Sequence, residues 1–241
     1  MHLPIAVADY VDFYASENHA TNLGRLFRPD AAPLMPNWKH LPVGYHGRSS
    51  TVVVSGTDIV RPCGQRKAPD QESPDFGPSR RLDIEAEMGF IVGTPSKMGD
   101  SITPDEFAEH VFGAVVVNDW SARDIQAWEY VPLGPNLGKS FATSISPWVV
   151  PLLALEAARI DTPVQDPEPL SYLRGEEKWG LDIDLAVDGL AAADHLRSQV
   201  EGGHGDGGVV HGEPFEQRRH VILRHSSAAV NWRHDGSVPL P

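Results

Sequence analysis

Apolar and polar residues alternate most regularly between residues 82 and 90. In the stretch LDIEAEMGF every second residue from Leu82 to Phe90 is apolar, and Asp83, Glu85 and Glu87 lie between them. A period of two is typical of a strand, so the pattern predicts one strand with three carboxylates on one face. Neighbouring positions on that face lie about 7 Å apart, and Glu85 and Glu87 therefore repel each other unless positive charge lies between them. A bound cation and a solvated outer face are both open explanations.

A second pattern predicts a buried strand that leads into a short helix. The apolar run Val115 to Val117 is typical of a buried strand, which would place Asp119 at the strand's end. Ser121 and Asp124 have the spacing of a capping box, so the helix is expected to begin directly after Ser121.

That predicted helix and the loop after it carry an unusual set of polar groups. Arg123 and Gln126 are three residues apart and share a helix face, while Ile125 and Trp128 are expected to face the core. A Gly/Pro-rich loop then leads to Lys139. A guanidinium, an amide and an ammonium are thus expected near the strand's end, either as a functional site or as a buried ion-pair network.

The N-terminal region predicts an extended segment followed by an amphipathic helix. His19, Leu23 and Phe27 are spaced by four residues and would lie on one helix face. A histidine on such a stripe is more often a core residue than a general base, and both roles stay open from the pattern alone. Asp12 and Tyr14 alternate on one face if the entry segment is extended.

The remaining segments before residue 100 give weaker predictions. Residues 33–48 predict an ordered loop that carries Tyr45 between glycine-rich turns. Residues 51–54 and 58–60 predict two short strands. Residues 63–80 are polar, with several prolines and mixed charges, and predict a surface excursion.

Composition limits the possible functions. The chain has 241 residues, a net charge of -13 and one cysteine, Cys63, which argues against a nucleic-acid partner and excludes an internal disulfide. No apolar run approaches the roughly 20 residues that span a bilayer, so a cytoplasmic protein without a membrane partner is expected. From about Ser198 the sequence becomes rich in Gly, His, Arg and Pro, which predicts a domain over residues 1–197 and a poorly ordered tail over 198–241.

Four motifs in order resemble the catalytic domain of the fumarylacetoacetase family, over about residues 3–190. They are DFYAS...HATN at 12–22, LMPNWKHLPVGYHGRSS at 34–50, LDIEAEMGF at 82–90 and NDWSARDIQAWEYVPLGPNLGKSFAT at 118–143. The resemblance implies a mostly β, α+β fold: an incomplete mixed β-sandwich roll with short helices. It also implies a homodimer that hydrolyses a carbon-carbon bond in a 1,3-diketo acid, 4-fumarylacetoacetate, to give fumarate and acetoacetate in tyrosine and phenylalanine catabolism.

The resemblance implies a role for individual residues of this chain. A general base falls on His19, and stabilisation of the oxyanion and the leaving carbanion falls on Arg123, Gln126 and Lys139. Substrate contacts fall on Tyr14, Arg28, Tyr45, Gln126 and Tyr130. Calcium or magnesium contacts fall on Asp12, Glu85, Glu87, Asp119, Lys139 and Thr143.

The sequence departs from the family pattern at both ends. The family has a small N-terminal barrel-like domain before the first motif, and a closing C-terminal segment that supplies a glutamate to orient the catalytic histidine. Neither is recognisable here, which predicts a truncated catalytic domain, a His19 without that glutamate, and weak or absent turnover by this chain alone. The alternatives are a hydrolase, isomerase or decarboxylase of the same fold acting on another oxo acid, and a catalytically dead fragment.

Overall fold

A computed structural model of the chain describes residues 1–183. The predicted boundary between the domain at 1–197 and the tail at 198–241 lies outside these residues. Within them no helix is long and apolar enough to cross a membrane.

The elements of this part of the chain are short, apart from one long strand and one long helix. The strands are β1 (Val11–Phe13), β2 (Gly44–His46), β3 (Val52–Val54), β4 (Cys63–Arg66), β5 (Asp75–Pro78), β6 (Leu82–Asp83), β7 (Ala86–Val92), β8 (Val111–Asp119), β9 (Ser121–Ala122), β10 (Thr143–Ile145), β11 (Val150–Pro151), β12 (Arg159–Ile160) and β13 (Gly180–Leu181). The α-helices are α1 (Glu17–Phe27), α2 (Phe107–His110), α3 (Arg123–Glu129), α4 (Leu137–Ser140) and α5 (Leu152–Leu155). Single turns of 3₁₀ helix lie at Ser49–Thr51, Pro104–Glu106, Glu156–Ala158 and Ser171–Leu173.

The strand β8 is the centre of the largest sheet. It pairs antiparallel with β7 along most of its length, with β11 near its start and with β10 at its end. β3 adds to β10 in parallel. Within residues 1–183 the structure also has four two-stranded sheets: β1 with β2, β4 with β5, β6 with β9, and β12 with β13. The predicted α+β fold, with several small sheets and short helices, is confirmed.

The two faces of β8 carry separate parts of the apolar core. Ala114 faces a cluster that contains Leu152 and Leu155 of α5, whereas Val115 and Val117 pack with other residues on the opposite face. Successive side chains of a strand point to opposite faces, so Asp119 shares the face of Val115 and Val117. The apolar strand β8 thus runs through the core and ends at Asp119, which places a carboxylate at the end of the sheet's central strand.

The helix α1 forms as its four-residue spacing predicts. The Ser16 side chain caps its start by accepting a hydrogen bond from the backbone N–H of His19 over 3.3 Å. Its buried side includes His19 and Leu23. Gly24 is required where the helix meets the next loop, because a Cβ there would lie 1.9 Å from the carbonyl oxygen of Pro33.

The prediction of one continuous strand over residues 82–90 is wrong. β6 and β7 are separate strands, and Ile84 and Glu85 lie between them. β6 pairs with β9, while β7 pairs with β8. Alternation of side chains continues through a change of partner strand, so the sequence pattern could not reveal the break.

Another local prediction is wrong, because residues 58–60 form no strand. The segment 63–80, predicted as a surface excursion, contains the hairpin of β4 and β5. The guanidinium of Arg66 holds the hairpin by donating to the Asp75 carboxylate and to the carbonyl of Pro78. Hydrogen bonds between polar side chains of two strands leave no apolar period in the sequence, so the pattern of apolar residues could not predict this hairpin.

The capping box predicted for α3 is also wrong. The residue that caps α3 is Ala122, which makes no side-chain hydrogen bond. Asp124 instead accepts hydrogen bonds from the Ser79 hydroxyl and from the backbone N–H of Arg80. Ile125 is buried as predicted, but Trp128 is 41% exposed.

Candidate active site

Three chain segments bring carboxylates to the end of β8. Asp119 ends that strand and is 3% exposed. Glu87 of β7 pairs with Val117, so its side chain shares the face of Asp119. Asp12 comes from the separate pair of β1 and β2, where it lies directly opposite Tyr45.

These three carboxylates form a cluster that we call the acidic triad: Asp12, Glu87 and Asp119. Each offers one oxygen, and the three oxygens lie within 4.8 Å of one another. The Tyr45 hydroxyl donates to Asp12 Oδ2 over 2.7 Å and lies 3.2 Å from Asp119 Oδ2. The hydroxyl is neutral, and the ion pair that the described residues offer the triad is that of Lys139 with Asp119, so three ionised carboxylates there have excess negative charge.

The excess charge appears in the pKa values of the triad. Burial, together with the charges of Asp12, Glu85 and Asp119, raises the pKa of Glu87 to about 9. Burial raises the pKa of Asp119 to about 7, although the Lys139 ammonium opposes that shift. The ionised triad is therefore costly unless a proton or a cation joins it.

Glu85 lies only two residues before Glu87 but has different neighbours. Lys139 Nζ donates to Glu85 Oε2 and, over 2.6 Å, to Asp119 Oδ2. Arg123 Nη2 lies 2.7 Å from Glu85 Oε1, as an ion pair without hydrogen-bond alignment. Burial alone would raise the pKa of Glu85, but the two cations outweigh it and hold that pKa well below its usual range. We call Glu85, Arg123, Lys139 and Asp83 the charge-balanced group.

Asp83 is the member of this group that sequence reasoning did not assign to the site. Its carboxylate accepts a hydrogen bond from Arg123 Nε over 2.9 Å, and both side chains are almost fully buried. On its other side Arg123 donates to Gln126 Oε1 over 3.2 Å, which confirms that these two residues share a helix face. The signal for Asp83 was present in the sequence, because it shares the alternating carboxylate face of Glu85 and Glu87.

His19 lies at the edge of the charge-balanced group. Its Nε2 is 3.4 Å from Glu85 Oε1, and its ring makes an edge contact with Tyr14. The sequence predicted a His19 without the family's orienting glutamate, and within residues 1–183 the carboxylate beside its ring is that of Glu85. Burial raises the pKa of Tyr14 to about 12, and its hydroxyl donates to the carbonyl of Ala20.

Three more predicted residues have defined partners: two predicted substrate contacts, Arg28 and Tyr130, and one predicted cation contact, Thr143. Arg28 follows α1 and donates from Nη2 to the carbonyl of Pro33. Tyr130 stacks on Phe27, with 5.5 Å between the ring centroids. Thr143 lies directly opposite Asp119 in the sheet.

A cavity of about 310 Å³ opens beside the site. Tyr45 and Lys139 are among its lining residues and connect it to the acidic triad. Tyr10 also lines it and was missed by the sequence analysis; its hydroxyl lies 3.2 Å from Thr143 Oγ1. The cavity therefore reaches Lys139 directly and borders the acidic triad through Tyr45.

Three of the four carboxylates predicted as cation ligands converge. Asp12, Glu87 and Asp119 lie together, whereas Glu85 contacts His19, Arg123 and Lys139. The donor set of the triad fits a hard divalent cation, because such ions take carboxylate oxygens as ligands. The geometry thus offers a cation position, two buried side-chain cations and a histidine within one site.

The chain matches known proteins over most of its described length. Residues 9–194 match the family described as fumarylacetoacetate hydrolase, C-terminal. The fumarylacetoacetase of Caenorhabditis elegans is 58% identical over 188 residues, which are 78% of this chain and 45% of that protein. The fumarylacetoacetase of Homo sapiens is 56% identical over 188 residues, with the same coverage of 78% and 45%. The chain thus spans about half the length of these curated relatives.

Solved structures give a weaker likeness. A fumarylacetoacetate hydrolase from the psychrophile Exiguobacterium antarcticum has 23% sequence identity and a TM-score of 0.39, covering 64% of this chain and 46% of that one.

Proposed function

The chain belongs to the fumarylacetoacetate hydrolase family, and on that premise we propose that it is a cation-dependent hydrolase of 4-fumarylacetoacetate. The reaction breaks a carbon-carbon bond with water and yields fumarate and acetoacetate. One observation carries the proposal: an acidic triad that suits a divalent cation adjoins two buried side-chain cations and His19. The names of the similar fumarylacetoacetases support the choice of substrate.

Asp12, Glu87 and Asp119 would hold the cation, which we propose is Ca²⁺ or Mg²⁺. Carboxylate oxygens are the ligands that both ions prefer. When bound, such an ion acts as a Lewis acid toward the carbonyl oxygens of a diketone. Glu85, Lys139 and Thr143 are proposed as further residues near the ion, on the resemblance alone.

His19 is proposed as the general base. Its Nε2 faces Glu85 Oε1 at 3.4 Å, so the carboxylate favours the tautomer with the ring proton at Nε2 and would stabilise the imidazolium that forms when Nδ1 takes a proton from water. Because Glu85 is itself held by Lys139 and Arg123, its charge has a fixed position in the site. His19 thereby gains an oriented partner within the described residues.

Arg123, Gln126 and Lys139 are proposed to stabilise the oxyanion and the carbanion that leaves. Arg123 and Lys139 are 3% and 5% exposed, so their charges act where little water screens them. Their ion pairs with Glu85 and Asp83 fix both groups before substrate binds. Tyr14, Arg28, Tyr45 and Tyr130 are proposed as substrate contacts.

An assay of product formation tests this function. The purified chain, freed of cations with a chelator, is supplied with Ca²⁺ or Mg²⁺ and 4-fumarylacetoacetate, and products are followed by NMR. We expect fumarate and acetoacetate in equal amounts, only when cation is present. His19→Gln should lose about 10²- to 10⁴-fold of the rate, whereas His40→Gln, which changes an exposed histidine, should not.

Two outcomes of that assay are informative in different ways. Absence of both products from the cation-loaded protein contradicts the proposed function. The sequence predicts weak or absent turnover by this chain alone, and a rate on the order of 10 per second would contradict that prediction while supporting the function.

A role in tyrosine and phenylalanine catabolism, a cytoplasmic location and a homodimeric state are proposed with this function. The dimer is tested by light scattering coupled to gel filtration, where a monomeric mass would contradict it.

A further inference from the structure

Glu129 holds the start of α4 through three hydrogen bonds. Its Oε1 accepts from the backbone N–H groups of Asn136 and Gly138, over 2.9 Å and 2.6 Å. Its Oε2 accepts from the backbone N–H of Leu137 over 3.1 Å. The first N–H groups of a helix have no partner within the helix, and Asn136 provides no side-chain cap here. A carboxylate from the last residue of α3 takes that role.

The loop between the two helices provides little other support. Val131 and Leu133 are 65% and 95% exposed. Gly134 has a φ of +95°, which lets the chain turn, and nothing lies within 4 Å of the position of a Cβ there. The Val131 and Leu133 side chains therefore add little packing that could fix where α4 lies, and the loop's own backbone contact is the hydrogen bond from the Gly134 N–H to the carbonyl of Tyr130.

A second contact between α4 and α3 lies at Gly138. A Cβ on Gly138 would lie 2.8 Å from the backbone nitrogen of Gln126, so the two helices touch through backbone at this point. Lys139 is the next residue, and its ammonium lies between Glu85 and Asp119. Small shifts of α4 therefore move Lys139 relative to Gln126 and Arg123 on α3.

We propose that Glu129 is a positioning residue, which fixes α4 on α3 and thereby holds the Lys139 ammonium between Glu85 and Asp119. Glu129 acts through backbone and touches no reacting group. The inference that this matters for turnover rests on the proposed function of Lys139, whereas the inference about its position does not.

Lysine acylation measured by mass spectrometry tests the position directly. Lys139 is 5% exposed and should react slowly with an N-hydroxysuccinimide ester, compared with exposed Lys97 in the same molecule. In Glu129→Ala we expect the ratio of Lys139 to Lys97 labelling to rise by about 10-fold or more. Glu129→Gln keeps one acceptor oxygen and should give an intermediate ratio.

Matched controls separate positioning from general loosening. Glu72→Ala changes an exposed glutamate between β4 and β5 and should leave the ratio unchanged. Amide exchange should increase at Asn136, Leu137 and Gly138 in Glu129→Ala but stay slow in β7 and β8. An unchanged labelling ratio in folded Glu129→Ala, or in folded Glu129→Gln should the alanine variant not fold, overturns the proposal.

Kinetics test the catalytic consequence. We expect kcat to fall from the unsubstituted protein to Glu129→Gln and further to Glu129→Ala, with KM little changed, since Lys139 acts on the transition state. Faster Lys139 labelling with unchanged kcat would overturn the catalytic part. A protein without any turnover contradicts the proposed function, and the labelling ratio still decides the position of Lys139.

Discussion

Glu85 and Glu87 are two residues apart and both are largely shielded from water, yet their surroundings are opposite. Glu85 faces Lys139 and Arg123, which hold its pKa well below the usual range. Glu87 faces Asp12 and Asp119, and with burial these raise its pKa to about 9. Among the described residues, Glu85 forms ion pairs with two cationic side chains, whereas Glu87 forms none.

The difference between Glu85 and Glu87 extends to the two groups that contain them, the charge-balanced group and the acidic triad. The charge-balanced group is complete within the chain, so it can hold Arg123 and Lys139 in place before any ligand arrives. Within residues 1–183 the acidic triad has one ion pair, between Asp119 and Lys139, for three carboxylates, so it gains most from a cation that comes from solution. The two groups are adjacent, because Lys139 of one contacts Asp119 of the other.

The largest expected effect is a difference in unfolding free energy between variants of Glu85 and of Glu87. Glu85→Gln removes the charge that two buried cations share, and breaking such a pair costs about 3 to 5 kcal/mol of unfolding free energy. Glu87→Gln replaces a carboxyl that already holds its proton at neutral pH, so its cost should be small in the absence of cation. Urea denaturation of both variants measures the contrast, and equal losses would contradict it.

A divalent cation that binds the acidic triad should stabilise the folded protein. Ca²⁺ or Mg²⁺ at 100 times its dissociation constant should raise the unfolding free energy by about 2.7 kcal/mol. Glu87→Gln should lose most of that gain because it loses a ligand of the triad. Glu72→Gln, on an exposed turn, should keep it. Thermal unfolding with and without cation measures the shift, and a gain that survives Glu87→Gln would place the ion elsewhere.

The sequence predicted the chemistry of this region better than its geometry. The alternation in residues 82–90 revealed the carboxylates and their repulsion, and the spacing of His19, Leu23 and Phe27 predicted α1. The pattern did not show that Glu85 and Glu87 have different partners. Those partners come from Lys139 and Asp12, which are far away along the chain, and only the fold determines which carboxylate each one meets.

The same limit explains the elements that were missed. The hairpin of β4 and β5 depends on Arg66, a polar residue in a polar segment, and no apolar period marks it. Asp124 has the spacing of a cap, but Ser79 and Arg80 offer it better-placed donors from another segment. Local preferences for secondary structure and capping are overridden where tertiary contacts are stronger.

The pH dependence of stability should be a smaller effect with a definite sign. The pKa of Glu87 is raised from 4.5 to about 9 by folding, so the cation-free folded protein holds more protons than the unfolded chain between these values. Its contribution to stability is complete below pH 4.5 and is lost as the pH rises through about 9. Asp119, with a pKa raised to about 7, has the same sign.

Urea denaturation in chelator across that range checks the slope. The unfolding free energy should fall toward alkaline pH in the unsubstituted protein and fall less in Glu87→Gln. Glu85 has the opposite sign, but its pKa lies below the range and its contribution is constant there. A slope that is equal in both proteins would contradict the assignment to Glu87.

Proton release on cation binding tests most directly the central claim that the acidic triad holds either protons or a divalent cation. Calorimetric titration of Ca²⁺ or Mg²⁺ in buffers of different ionisation enthalpy gives the number of protons released per ion. At about pH 8 we expect roughly one proton, because Glu87 must lose its proton to become a ligand. Glu87→Gln should release far fewer or bind no ion. Tight binding without proton release, or no binding at all, would contradict the account.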